Sequence, residues 1–187
     1  VYILLLGAPG SGKGTQGLIL SRRLGIPKIA TGDILRAAMK AGSRLGNEAK
    51  RFYDAGKLVP DTVILELIKT ELAKPEAQQG AIFDGFPRTA AQAELVDKTL
   101  ATRGQRLNHA LLLDVPEEEL VRRLHARALK EGRTDDTPEA IRTRLLVYQQ
   151  ETAPLIAHFA VHGIVHRVPG LGSIEDIAVE IQRILGR

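Results

Sequence analysis

In GAPGSGKGTQ (7–16), Gly7 and Gly12 enclose four residues and Lys13 follows at once, directly behind the apolar run VYILLL (1–6). Glycine, four residues, glycine, lysine is the spacing of a loop whose backbone N–H groups converge on phosphate oxygens, with the lysine reaching the β- and γ-phosphates. By composition alone such a string recurs in roughly one chain in twenty of this length, so its setting carries more weight than the string. Here it leaves an apolar strand and enters a helical pattern, whose N-terminus adds partial positive charge. The position behind the lysine that usually carries a Ser or Thr for a magnesium ion is Gly14, and Thr15 comes one later. A metal must then be held differently. Asp84 closes the apolar run AIFD at a strand mouth, where ligands bind in open α/β sheets, and would hold Mg²⁺ directly or through water. Asp114, which closes ALLLDV, competes for that role, and strand-end acids also serve as plain helix caps.

The arginines narrow the chemistry. Arg36 lies one turn into the helix opened by ATGD, Arg88 follows DGFP, and Arg123, Arg127, Arg133, Arg142 and Arg144 cluster around the polar segment KEGRTDDTP (130–138). Arg123 and Arg127 are four apart and share a helix face. Guanidinium groups clamp phosphate oxygens bidentately and keep their charge, so a ring of them suits two phosphorylated substrates meeting end to end. No side chain stands out as a catalytic base. None is needed when the acceptor is itself a phosphate, whose second pKa of about 6 leaves it largely dianionic at neutral pH.

Five short apolar runs, at 1–6, 27–30, 81–84, 109–115 and 164–168, alternate with amphipathic segments at 17–24, 33–41, 62–73, 89–101 and 117–130. That alternation predicts an α/β fold with a five-stranded parallel sheet and helices on both faces. The fifty or so residues between the second and third strands exceed an ordinary crossover. They read as three helices broken at 41–43 and 55–60, an inserted helical subdomain. The segment 130–138 reads as a short exposed flap. The 187 residues, 44% hydrophobic, suit one domain. A formal charge of +4, from 26 basic and 22 acidic residues, is too balanced to assign a nucleic-acid partner. The absence of cysteine excludes disulfides and thiolate zinc sites and leaves a cytosolic home favoured. The first apolar run is too short to span a membrane.

Taken in order, GAPGSGKGTQ (7–16), ATGDILR (30–36), GKLVPD (56–61), DGFPRTAAQ (84–92), GRTDD (132–136) and RLLVYQQETAPL (144–155) resemble the short-lid adenylate kinases of the nucleoside monophosphate kinase family, over essentially the whole chain. The resemblance implies a P-loop NTPase fold that transfers the terminal phosphoryl group of MgATP to AMP, giving two ADP. It implies that Gly10, Ser11, Gly12, Lys13, Gly14 and Thr15 bind ATP phosphates, that Arg123 and Arg127 belong to the ATP side, and that Gly172 offers backbone to adenine. Residues 30–59 would form the AMP-binding subdomain, with Thr31, Arg36, Lys57, Leu58, Val59, Gly85, Phe86, Pro87, Arg88 and Gln92 lining the site. Residues 127–137 would form the lid, with Arg133 and Arg144 bridging towards the AMP phosphate. Lys13, Arg36, Arg88, Arg127, Arg133 and Arg144 would carry catalysis, with Mg²⁺ accompanying ATP. Longer-lid relatives carry an insertion there, often with a cysteine zinc site; this chain lacks both, so no structural zinc is expected. The segment ATGD departs from the commoner STGD only ahead of Thr31. The resemblance further implies a cytoplasmic monomer that uses ATP, AMP and ADP, with no nucleic-acid or membrane partner.

Three rivals remain at this level. A UMP/CMP kinase of the same fold differs in the family picture mainly at the positions of Thr31 and Gln92. A catalytically silent nucleotide sensor would lack one of Lys13, Arg88, Arg127 or Arg144, and all are present. An RNA-binding role wants exposed aromatic residues for stacking, and the aromatic content is 4%. His158, His162 and His166 raise a metal site, but HFAVH (158–162) lacks the intervening acid of a zinc-protease helix, and placement near a helix C-terminus accounts better for the histidines.

Overall fold

The computed structural model describes residues 1–186. Among them β1 (Tyr2–Leu6), β2 (Lys28–Ala30), β3 (Ala81–Asp84), β4 (His109–Asp114) and β5 (Val165–Pro169) form one parallel sheet in the order β2-β3-β1-β4-β5. Every strand lies within one residue of the apolar run that predicted it. The register sets Leu4 of β1 beside Phe83 of β3 and Ala110 of β4. Side chains alternate across the pleat, so Tyr2, Leu4, Leu6, Phe83 and Leu112 enter one core and Ile3, Leu5, Ile82, Leu111 and Val168 the other. Both faces are buried, which is why the central strands read as unbroken apolar runs.

The helices are α1 (Lys13–Leu24), α2 (Thr31–Lys40), α3 (Arg44–Asp54), α4 (Asp61–Ala73), α5 (Ala90–Ala101), α6 (Glu117–Glu131), α7 (Pro138–Val147), α8 (Leu155–Ala160) and α9 (Ile174–Ile184). On one face α4, α5 and α8 pack Leu67, Ile68, Leu72, Val96, Leu100 and Phe159 against the sheet. On the other, α1 and α9 contribute Leu20, Ile177 and Ile181. Each such buried side chain is worth about 1.5–3 kcal/mol of transfer free energy, so either layer holds its helices firmly. A third cluster, Leu120, Leu124, Ile141 and Leu145, joins α6 to α7.

The insertion after β2 comprises the three expected helices. The break at 41–43 is built by Gly42 and by Ser43, whose hydroxyl accepts the Gly46 N–H at 3.1 Å as an N-cap. A Cβ on Gly46 would stand 2.3 Å from the Ala38 carbonyl, so the close approach of α3 to α2 requires glycine there.

Two expectations need correction. Helix α1 begins at Lys13, four residues ahead of the predicted start at 17, because residues 13–16 carry no apolar side chain and periodicity is blind to that turn. The flap is not simply exposed: α6 runs into it, residues 134–136 form a single 3₁₀ turn, and Asp135 and Asp136 are only 4% and 2% accessible. Their burial follows from the arginines that pair with them. Helix α8 enters the sequence reading only as the helix end that accounts for the histidines, and α9 is absent from it. The first is short, and the second shows its apolar spacing only once the Ser173 and Asp176 capping box marks where it starts.

Candidate active site

The chain leaves β1 for α1 and β2 on one side and returns to β4 on the other, so the strand order switches at β1. Ligands bind at the carboxyl ends of strands at such a point. Residues 7–12 turn there. Gly7 has φ 136°, and a Cβ on it would meet the Leu113 carbonyl at 2.7 Å, so only glycine lets the loop fold back against β4. Gly12 (φ 98°) precedes α1, and no side chain caps that helix; its first residues, Lys13, Gly14 and Thr15, line a cleft of about 660 Å³. Backbone N–H groups at a helix N-terminus facing a cleft form an anion site.

Lys13 donates through Nζ to the carbonyls of Gly7 (2.6 Å) and Ala8 (2.9 Å) and to Ser11 Oγ (3.4 Å). Burial lowers its pKa to about 8; Asp84 opposes the shift, while Arg88, Arg144 and Arg127 add to it. A cation held among cations inside a cleft calls for an anionic ligand. Burial likewise lowers the pKa of Arg88, and Arg144 reinforces the effect.

Arg88 donates through Nε to the Gly85 carbonyl at 2.7 Å, and its own N–H is accepted by Gln92 Oε1 at 2.8 Å. Gln92 in turn donates to Asp61 Oδ1 at 2.6 Å, so both ends of its amide are held. Thr31 Oγ1 donates to the Gly85 carbonyl at 2.8 Å. Arg36 donates to the Tyr53 hydroxyl and to Asp33, and its guanidinium lies 5.9 Å from the Tyr53 ring centroid. Thr31, Arg36, Tyr53, Gly85, Arg88 and Gln92 line a side pocket of about 70 Å³ together with Lys57, Leu58 and Val59.

The facing wall comes from α6, the 134–136 turn and α7. Arg127 grips Asp136 with two nearly parallel hydrogen bonds, Nε to Oδ2 at 2.6 Å and Nη2 to Oδ1 at 2.7 Å. Arg144 donates to the same Oδ1 at 2.7 Å and lies 2.9 Å from Asp135 Oδ2. Burial works against ionisation of Asp136, yet the Arg127 hydrogen bond and charge hold its carboxyl below the usual range. Arg123 donates to Glu119 and to the Gly170 carbonyl, tying α6 to the loop that carries Gly172. Arg133 pairs with Glu131 at 2.5 Å. Thr134 Oγ1 donates to Asp54 Oδ1 at 2.6 Å, so the flap touches the end of α3.

Of the nucleotide-site residues singled out from the sequence, all but Asp114 and Arg142 border one of two adjoining spaces. Gly10 to Thr15, Asp84, Phe86, Pro87, Arg123, Arg127, Arg133 and Gly172 line the large cleft. Thr31, Lys57, Val59 and Gln92 line the side pocket. Arg36, Leu58, Gly85, Arg88 and Arg144 border both. Asp114 is exposed, paired with Arg167 at 3.1 Å, and borders neither space, which leaves Asp84 as the better placed strand-end acid. Arg142 makes an exposed pair with Glu139 at 3.6 Å and stays out of the cleft. Sequence reading passed over Asp33, Tyr53, Asp61, Asp135 and Asp136. Each acts by holding a cation or an amide that was noticed, and only the adjacent acids within GRTDD hinted at this.

Asp33 and Asp84 converge on one cation. Lys28 Nζ lies 3.2 Å from Asp33 Oδ2 and 3.7 Å from Asp84 Oδ2. A Cβ on Gly14 would stand 3.6 Å from Asp84 Oδ2, so the missing Ser or Thr leaves room in front of that carboxylate. Oxygen donors with space for water are what a hard divalent cation takes.

The "Adenylate kinase" family model matches residues 5–164. Among similar proteins, the adenylate kinase of Kocuria rhizophila is 48% identical over 185 residues, covering 99% of this chain and 98% of that protein. The adenylate kinase of Thermus thermophilus is 47% identical over 184 residues (98% and 96%), and that of Leptospira biflexa is 47% identical over 175 residues (94% of each). With the phosphate loop, the arginine wall and the side pocket all inside one full-length match, the chain belongs to the adenylate kinase family.

Proposed function

We propose that the chain catalyses MgATP + AMP ⇌ MgADP + ADP, with ATP entering the large cleft over the phosphate loop and AMP the side pocket. The observation that carries this reading is that Arg88, Arg36 and Arg144 border both spaces. An anion in either space meets the same guanidinium groups. Lys13 and residues 12–15 would hold the donor phosphates, Arg88 and Arg36 the acceptor phosphate, and Arg127, Arg133 and Arg144 the charge on the group in transit. Gly172 and Arg123 border the same cleft, and the adenine of ATP would lie against them. Residues 30–59 would serve as the AMP subdomain and 127–137 as the lid.

The acceptor needs no base, since its phosphate already carries the lone pair and charge that attack requires. The protein's part is alignment and charge stabilisation, with closure of the lid and AMP subdomain to exclude water. The fixed Gln92 amide and the Thr31 hydroxyl present polar groups to the acceptor base, which favours adenine. Asp33 and Asp84 would hold Mg²⁺, directly or through its water, in place of the Lys28 ammonium. Held there, Mg²⁺ would supply positive charge to offset the charge that develops on the phosphates. We propose a cytoplasmic monomer; among the described residues no helix is long and apolar enough to cross a membrane.

The test is a coupled assay of ADP formation from MgATP with AMP, UMP, CMP or GMP in parallel. Turnover confined to AMP supports the assignment; preference for UMP or CMP would keep the chemistry and overturn the reading of Thr31 and Gln92.

A further inference from the structure

Far from the nucleotide cleft, on the sheet face covered by α5 and α8, Asp97, His158 and His162 come together. One ligand atom from each lies within 4.8 Å of those of the other two. His158 Nε2 stands 3.2 Å from Asp97 Oδ2, and the His158 and His162 rings are 5.9 Å apart between centroids at 72°. None of the three borders the cleft or the side pocket. The carboxylate from α5 is the acid that HFAVH (158–162) lacks in its own segment, so the sequence could not show the set.

We propose that Asp97, His158 and His162 form a surface site for a borderline divalent transition ion, with Zn²⁺ as the principal occupant. Zn²⁺ takes imidazole nitrogen and carboxylate oxygen at about 2.0–2.2 Å. Two ligands of a tetrahedral ion at that distance are then roughly 3.3–3.5 Å apart, close to the observed separation of His158 from Asp97. The third ligand is four residues from His158 on the same segment, the spacing that puts two side chains on one helix face. His162 is exposed, which leaves its side chain room to turn towards the other two ligands. His158 is less free: its ring packs edge-on against buried Phe159 at 4.9 Å, which presents Nε2 to α5. Three protein ligands leave a fourth position for water or an added ligand, and the two imidazoles disfavour Mg²⁺, which prefers oxygen. Bound metal would pin α8, the short helix that follows 144–154, to α5, which starts beside Gln92.

The site is separable from the cleft by experiment. Zn²⁺ is titrated calorimetrically into the nucleotide-free protein without Mg²⁺, and Co²⁺ is added in parallel to record its visible ligand-field bands. The expected result is one-to-one Zn²⁺ binding that weakens at least tenfold in His162→Ala, is lost in the His158→Ala, His162→Ala double variant, and persists in Asp84→Asn. Co²⁺ bands should appear in the parent protein and vanish in the double variant. Phosphotransfer by the double variant, assayed with excess Mg²⁺ and no added Zn²⁺, should equal the parent's, which certifies its fold. Undiminished Zn²⁺ affinity in the double variant, loss of binding in Asp84→Asn, or no binding below millimolar Zn²⁺ would each overturn the proposal.

Discussion

The two walls of the cleft hold their positive charge in different ways. The phosphate-loop wall is mostly backbone: Gly7, Gly10 and Gly12 adopt positive φ, α1 is left uncapped, and Lys13 rests on two carbonyls. It hangs from β1, the central strand, whose side chains are at most 2% accessible. The facing wall is side chain: Arg127 and Arg144 stand on carboxylates of a three-residue turn at the edge of the fold. A wall of backbone is rigid before ligand arrives. A wall of guanidinium groups can exchange Asp136 for phosphate oxygens, because both offer the same bidentate geometry. On the proposed reading, one wall would define where phosphate sits and the other would respond to its presence.

The first way to break this comparison is at the group that serves both spaces. Arg88→Ala should lower kcat by about 10³–10⁵, the range seen when a transition-state arginine is removed, with the fold unchanged by circular dichroism. A loss below tenfold would remove Arg88 from the transfer step.

Asp136→Asn tests the responsive wall. Removing a buried carboxylate that pairs two arginines should cost about 3 kcal/mol, near the lower end for breaking a buried ion pair because Asp135 still faces Arg144. Urea denaturation would read it as a lower midpoint at constant m-value. At saturating ATP the difference between variant and parent should shrink, since phosphate oxygens replace the carboxylate, whereas a purely structural pair would leave that difference unchanged.

The rigid wall makes a smaller, pH-dependent prediction. Lys13 has a folded pKa of about 8, below its usual 10.5. Between those values the unfolded chain binds a proton that the folded chain does not, so the stability of the nucleotide-free protein should gain a contribution from Lys13 as pH rises from 8 towards 10.5. Lys13→Met should flatten that gain. Polyphosphate raises the Lys13 pKa again, so ATP binding at pH 8 should take up about half a proton from this group. Calorimetry in buffers of different ionisation enthalpy measures the uptake, and equal heats in all of them would contradict it. The smallest effect is expected at Arg142, whose exposed pair lies outside both walls. Arg142→Ala should shift stability by less than about 0.5 kcal/mol and leave turnover unchanged.

The same contrast explains what was legible in the sequence. Strands buried on both faces announce themselves as apolar runs, and the rigid wall as a glycine spacing, because both are local patterns. The first turn of α1 was missed since Lys13 to Gln16 carry no apolar residue. The arginines could be seen but not their supports: Asp135 and Asp136 look like flap acids until α6 and α7 close on them, and Tyr53 becomes a partner of Arg36 only when α3 packs on α2. Asp97 lies some sixty residues from His158, so no window along the chain joins them.

The central claim is that these walls align phosphate against phosphate and use no base to activate water. Its most direct test is the ratio of two rates in the unmodified protein, ADP formed from MgATP with saturating AMP and inorganic phosphate released without it. The account predicts that transfer to AMP exceeds hydrolysis by several orders of magnitude. Phosphate release at a similar rate with or without AMP would contradict it and make the cleft a hydrolase.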